Sequence, residues 1–409
     1  MNPVPGLLRQ GADAASGRSK DHRLVDEVAD QLVGLEEFDA QALGSLALTN
    51  MISTMYENGW QPFDLLHVVR RQNTTSVSSL AAAAILHESD LTAANDRAPE
   101  YWVGQLSEIC ALYPAAAATV DTSPSFLAAL PRPDRRWDYI AASNQWVTVL
   151  TLLGQWQSLP RWPQIGPLPS QWPTRRAPRT DRHVPGARSP NDKVLVRIRG
   201  LLAKADATDF DEEAETLTAK AQELMTRYSI DSLLLAEGNV DVVSRRLHVD
   251  NPHAPPKAQL LHGVSTVNRV KTIWDPGFAV ATLVGSPVDV EQTEVLFTSL
   301  LIQATRALAH SPKAKHRKGS ASAAFGKAFL YAYAIRIGER LAEVDANALE
   351  EASTRSEQLL PMLAAQTVAV EEEFDRLFPR VRTMRGPRLD AEGWESGHAA
   401  ADEADLRST

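Results

Sequence analysis

Apolar residues recur at three- and four-residue spacing from Asp21 to about Leu159, the period of one face of an α-helix. Leu24, Val25, Val28, Leu32 and Leu35 make the first stripe, and Leu46, Met51, Ile52 and Met55 make another. Gly59 stops that helix and Pro62 opens the next, which carries Leu65, Leu66 and Val69 on one face. Seven of the nine tryptophans lie before Pro173, and Trp137, Trp146 and Trp156 fall in helical stretches where they are expected to fill space between helices. Residues 21–159 are therefore predicted to form an all-helical domain. Residues 1–20 are Gly, Ser, Pro and Ala without a period, and are expected to be disordered.

The pattern breaks between Pro160 and Pro190, where eight prolines leave no room for a helix or a central strand. Residues 160–189 are predicted to be a Pro/Arg-rich linker, with Trp162 and Trp172 available to dock it on a neighbour. Helical period then returns. Ser189 is placed to cap a helix with Pro190 at its first position and Asp192 at its third, followed by the stripe Val194, Ile198, Leu201, Leu202 and Ala205. Thr208 or Asp209 caps a second helix with the stripe Ala214, Leu217, Ala221, Leu224, Met225 and Tyr228. A short third helix over Asp231–Ala236 ends at Gly238, so residues 190–238 are expected to be a helical hairpin domain. The acids between the two helices, Asp206 to Glu215, sit where caps and the helix dipole favour them.

After Gly238 the period changes to two. Val243, Arg245, Leu247 and Val249 share one face of a half-buried strand. "PPKAQLLHGVSTV" is predicted to be a helix, and "VKTIWDPGFAVATLVG" a hairpin with Pro276 and Gly277 in a type II turn. "PVDVEQTEVLFTSLLIQATRALAH" follows as a long amphipathic helix. The order strand–helix–strand–strand–helix predicts a small, mostly antiparallel α+β unit. Beyond the basic loop "HSPKAKHRKGS" come a helix from about Ala321 to Ala346 and another ending near Phe378, which complete a unit spanning 239–378. The tail, 379–409, is expected to carry a short docking helix around Trp394 with small alanines beneath it. The fold class is mainly α with a small α+β unit.

Composition narrows the compartment. Hydrophobic residues make 44% and charged residues 23% of 409 residues, as in ordinary globular proteins. Cys110 is the only cysteine, which excludes an intrachain disulfide and a cysteine zinc cluster; on an apolar helix face it is expected to be a buried structural thiol. No apolar run approaches the roughly 20 residues of a membrane span, and residues 1–20 lack a signal-peptide core, so a cytoplasmic protein without membrane contact is expected. Net charge is −9, yet Gln171–Gly200 holds eight Lys/Arg against two Asp, a local +6 that leaves −15 on the remainder.

"VRIRGLLAKADATDFDEEAETLTAKAQELMTRYSID" resembles the signature of domain of unknown function 2786. The matching residues are Leu201, Leu202, Ala205, Glu213, Ala214, Lys220, Ala221, Leu224, Met225 and Tyr228, within about 40 residues. The later stretches "LVGSPVDVEQTEVLFTSL", "AFGKAFLYAYAIRIGERL" and "GWESGHAAADEADL" resemble the region that follows this signature in actinobacterial and phage proteins. The resemblance implies an intracellular protein of that type. It implies no reaction and supplies no catalytic residue.

The chemistry-bearing residues form few patterns. There is no His-Glu-x-x-His, no Gly-rich phosphate loop, no Gly-x-Ser-x-Gly elbow and no EF-hand loop. His248, His253 and His262 lie close in sequence, and an enzyme site assembled from distant residues would start from them. The remaining candidates are basic: Arg175, Arg176 and Arg179 in the linker, and Lys313, Lys315, Arg317 and Lys318 in the loop, as possible nucleic-acid contacts. Arg380, Arg382, Arg385 and Arg388 form a third basic segment. No catalytic residue, cofactor or metal ligand is assigned. The expected function is a non-enzymatic binding or scaffold module with an unknown protein partner. A nucleic-acid-associated protein and an enzyme stand as alternatives.

Overall fold

The computed structural model describes residues 2–17, 20–35, 37–120, 126–129, 138–174, 190–208, 211–235, 240–311, 313, 318–354, 356–381 and 390–402. The chain divides into two compact units, Met1–Thr180 and Asp181–Thr409.

The N-terminal unit is helical: α1 (Val4–Ala15), α2 (His22–Val33), α3 (Glu37–Glu57), α4 (Pro62–Gln72), α5 (Thr75–Leu91), α6 (Glu100–Leu112) and α7 (Asp138–Gln157), with shorter turns between some of them. α5 lies at the centre, with Ala81, Ala82, Ala83, Ala84 and Ile85 all fully buried. The expected disordered N-terminus is instead the helix α1, which buries Val4, Leu8, Gly11, Ala12 and Ala15. Its small residues are the contact. A methyl group on Gly154 of α7 would meet the Ala12 carbonyl oxygen at 2.5 Å, so two helix backbones approach where bulk is missing.

The first half of the predicted linker also belongs to this unit. The Trp60 indole donates to the Pro160 carbonyl at 2.8 Å, and the Trp162 amide donates to the Asn58 carbonyl at 2.9 Å. Trp162 lies 4.2 Å from Trp60, and Trp172 meets Trp102 edge-on at 4.9 Å. The Glu57 carboxylate accepts from both the amide and the hydroxyl of Ser170. The prolines do prevent regular structure beyond one 3-10 turn at Pro169–Gln171, but the segment is a strap held on the helices. Residues 175–189, with the rest of the linker and the expected Ser189 cap, lie outside the described residues.

The C-terminal unit starts with the hairpin α8 (Pro190–Ala207) and α9 (Asp211–Leu235), and α9 runs through Asp231 without the expected break. Ile230 and Leu233 are buried there, so packing carries the helix past that point. β1 (Val243–His248), α10 (Ala254–Val267), β2 (Lys271–Asp275), β3 (Val280–Gly285) and α11 (Pro287–His310) follow in the predicted order. The sheet order is β1-β3-β2, antiparallel throughout, with Val243 opposite Gly285 and Lys271 opposite Val284. β3 is the central strand and is buried along its whole length, which explains its unbroken apolar run. The β2–β3 turn is not type II: Ala279 at φ 54°, rather than Gly277, takes the left-handed conformation. Asp275 Oδ1 organises the turn by accepting from the amides of Gly277 and Phe278.

α12 (Gly319–Ser353), α13 (Leu359–Leu377) and α14 (Ala391–Asp402) complete the unit. The docking helix is present, but Gly393 and Gly397 make its close approach to the Phe325 and Phe329 backbone. The hairpin is not a separate domain. Ile198, Leu202, Ala221 and Met225 share one core with Leu261, Leu283, Phe297 and Phe329. Among the described residues no helix is long and apolar enough to cross a membrane.

The strap predicts a stability effect. Trp172→Ala should lower stability by about 3–5 kcal/mol, as truncation of a buried tryptophan does, read from urea unfolding of the full chain. A solvated linker would give almost no change.

Candidate functional site

α9 carries a second stripe beside its apolar one. Thr218, Gln222, Thr226 and Ser229 recur at helical spacing and are all buried. Each faces polar groups from other elements. Ser229 donates to Asp289 Oδ1, and Thr226 donates to Asp345 Oδ1 at 2.8 Å. Gln303 of α11 donates to Thr218 at 3.1 Å.

Asp289 is the centre of this network. It stands in the first turn of α11, and Ser286 caps that helix by accepting from the Asp289 amide. The Ser286 hydroxyl donates back to Asp289 Oδ2 at 2.8 Å, and Gln366 of α13 donates to the same oxygen at 2.7 Å. The carboxylate is fully buried. Arg269 supplies the nearest positive charge, 3.5 Å from Asp289 and 3.4 Å from Asp345. Arg269 takes the left-handed conformation, φ 60°, just past the end of α10. One guanidinium thus serves two carboxylates from two helices.

The acidic turn is tied down as well. Asp206 accepts from Ser299 of α11 at 2.7 Å, and Thr208 donates to Glu213 at 2.6 Å. Arg306 donates to the carbonyls of Asp206 and Thr208, the cationic partner that a helix C-terminus favours. Asp209, the other expected cap, lies outside the described residues.

Comparison with known proteins falls on this hairpin. Residues 193–232 match the family model described as Protein of unknown function (DUF2786). The chain carries a DUF2786 segment. No curated protein and no solved structure matches the chain. The DUF2786 segment contains most of α8 and α9, and so both stripes of α9. The residues of these stripes face inward, and the apolar ones share a core with residues of α10, α11 and α12.

The N-terminal unit holds a second buried acid that sequence reasoning passed over. Glu88 is 4% exposed and accepts from Ser53 at 2.7 Å. Burial pushes its carboxyl up to about 7, against the opposing Ser53 hydrogen bond. The Tyr56 phenol is raised by burial, then by the charges of Glu88 and Asp64. The available signal was position: Glu88 follows an apolar run, Ala81 to Leu86, that covers every face of α5.

The sequence-derived candidates fare unevenly. Lys313 and Lys318 are exposed between α11 and α12, whereas Arg175, Arg176, Arg179, Lys315 and Arg317 lie outside the described residues. Of the third basic segment, Arg380 is exposed and the other three also lie outside them. The histidines do not converge. His253 heads α10, while His262 is exposed nine residues along it, on the opposite side and roughly 13 Å further on by helical rise. Cys110 is exposed rather than buried, because α6 turns that face outward, and desolvation by its neighbours still holds the thiol above its ordinary range.

Two outcomes test these networks. Asp289→Ala leaves Arg269 with Asp345 alone and strands three donors, and should cost about 3–5 kcal/mol in urea unfolding; a loss under about 1 kcal/mol would contradict the network's role. Glu88 binds its proton more tightly folded than unfolded. Its contribution is therefore complete below about 4.5 and is lost as pH rises through about 7. Stability should drop by up to about 3 kcal/mol across that window, and Glu88→Gln should flatten the profile. Parallel profiles for the two proteins would refute this.

Proposed function

We propose that the protein is a non-enzymatic binding module of the cell interior. Its DUF2786 hairpin forms the framework, and its outer helices meet a protein partner. The observation that carries this reading is α13, which buries Leu359, Gln366, Val370 and Leu377 and turns a second apolar stripe outward. On that face Leu360 is 64% and Val368 53% exposed, with Ala364 between them at helical spacing. A stripe of this kind differs from apolar residues scattered singly, which need no explanation. The inward use of the buried carboxylates supports the same reading, since Asp289 and Asp345 are engaged by Arg269 and by helix side chains.

A second reading, contact with nucleic acid, is favoured by one observation. No acidic residue occurs between Glu294 and Glu339, in a chain that has 51 of them. The stretch that includes the end of α11 and the first half of α12 therefore contains only neutral and cationic side chains.

Affinity purification of the full chain from its host, with and without nuclease, tests the main reading. Proteins recovered by the parent chain should be lost with Leu360→Glu/Val368→Glu and retained after nuclease, at unchanged melting temperature. Recovery of the same proteins by the variant would overturn the α13 surface. Loss of them on nuclease treatment would favour the second reading.

A further inference from the structure

We infer that the C-terminal unit holds a phosphodiester-binding site where the start of α10 meets the first turns of α12, formed by His253, Lys257 and Lys327. The inference rests on the nucleic-acid reading and gives it a place.

Asp250 and Asp275 bracket one acid-free span and Glu294 and Glu339 another. Four of the ten Lys/Arg in the two spans, Arg269, Lys271, Arg306 and Arg336, have structural partners. Arg269 serves Asp289 and Asp345, Lys271 pairs with Glu371, and Arg336 pairs with Glu339. Arg306 caps α8. Lys327 is half-buried and makes no ion pair or hydrogen bond among the described residues. Among the described residues Lys257 donates to one neutral acceptor, the Asp250 carbonyl, at 2.9 Å.

The fold brings the three groups together. His253 takes the left-handed conformation, φ 65°, as the residue that heads α10. Its ring lies on α12: a methyl group on Gly326 would meet His253 Nε2 at 3.0 Å and Leu308 of α11 at 3.5 Å. His253 is held below its ordinary range by burial, then by Lys257 and Lys327, so both ammonium groups are near enough to repel its proton. Burial likewise lowers Lys257, and the Asp250 carboxylate only partly offsets it. The acidic helix α14 covers the Phe325 and Phe329 side of α12, whereas Lys327 projects roughly opposite by helical period.

Two half-buried ammonium groups and an imidazole therefore lie together, and the Asp250 carboxylate acts on Lys257. Partly desolvated cations with too few anions gain most from a ligand that brings negative oxygens. The surface does not end at one anion. Lys313 and Lys318, between α11 and α12, are exposed as well. A run of cations without acids matches a chain of phosphates, and flexible lysines read charge rather than base edges.

The test is fluorescence anisotropy of the full chain with short labelled duplexes of DNA or RNA, titrated with salt. Lys257→Gln/Lys327→Gln removes both charges and leaves Lys257 a donor for the Asp250 carbonyl. Lys220→Gln, on the exposed side of α9, is the control. The parent chain should bind with little sequence preference. The double variant should bind about tenfold more weakly or worse, with a salt slope smaller by about 0.9 per lost contact. The control should match the parent. If parent and double variant bind with equal affinity and slope, the site is wrong while the nucleic-acid reading stands on other segments. Absence of binding at low salt would remove both. Inorganic phosphate is the last arm: protection of His253 by phosphate, without duplex binding, would overturn the polymer as ligand.

Discussion

A carboxylate with no access to water constrains the C-terminal unit. Asp289 must find its hydrogen bonds inside the protein, because an ionised oxygen left unpaired there is far costlier than an unpaired neutral one. Its donors come from Ser229 on α9, Ser286 at the cap of α11 and Gln366 on α13. Each donor must arrive at a fixed angle and height, so each helix is held in rotation and in register. Arg269 extends the constraint to α12 through Asp345, and it reaches both acids from a left-handed position at the end of α10. Apolar packing supplies most of the driving force, as it does in any core, but it tolerates sliding. Buried ion pairs contribute little net stability over hydrophobic replacements; here the network selects one arrangement among several that would bury similar area.

The legible part of this fold was its apolar period. Ile198, Leu202, Ala221 and Met225 were readable because a 3.6-residue stripe has one physical meaning when its opposite face is charged. The buried polar stripe was not readable, since Thr218, Gln222, Thr226 and Ser229 are residues that a solvent face also uses. A finer distinction was present: all four are uncharged, while Lys220, Glu223 and Arg227 form ion pairs on the more accessible side. α1 escaped for a different reason. Alanine and glycine carry little hydrophobic signal, yet they permit the closest helix approach, as Gly154 against Ala12 shows. The strap at 160–174 escaped because proline density forbids regular structure without forbidding packing, and tryptophan contacts through space have no period.

Net charge misled in the same way. A total of −9 describes no particular surface. The informative quantity was the spacing between acids, and the long gap from Glu294 to Glu339 was visible in the sequence from the start. What the sequence could not supply was the second gap's position in space. Only the fold sets His253 and Lys257 beside Lys327, across some seventy residues of chain.

This separation between framework and surface bears on what a shared DUF2786 segment means. The segment's inward residues join α9 to α11 and α12 in this chain. The residues proposed to meet partners, Leu360 and Val368 on α13 and His253, Lys257 and Lys327 at the basic end, all lie outside residues 193–232. Function belongs to sites grafted on folds, and on the reading proposed above the graft and the stock are different stretches of chain.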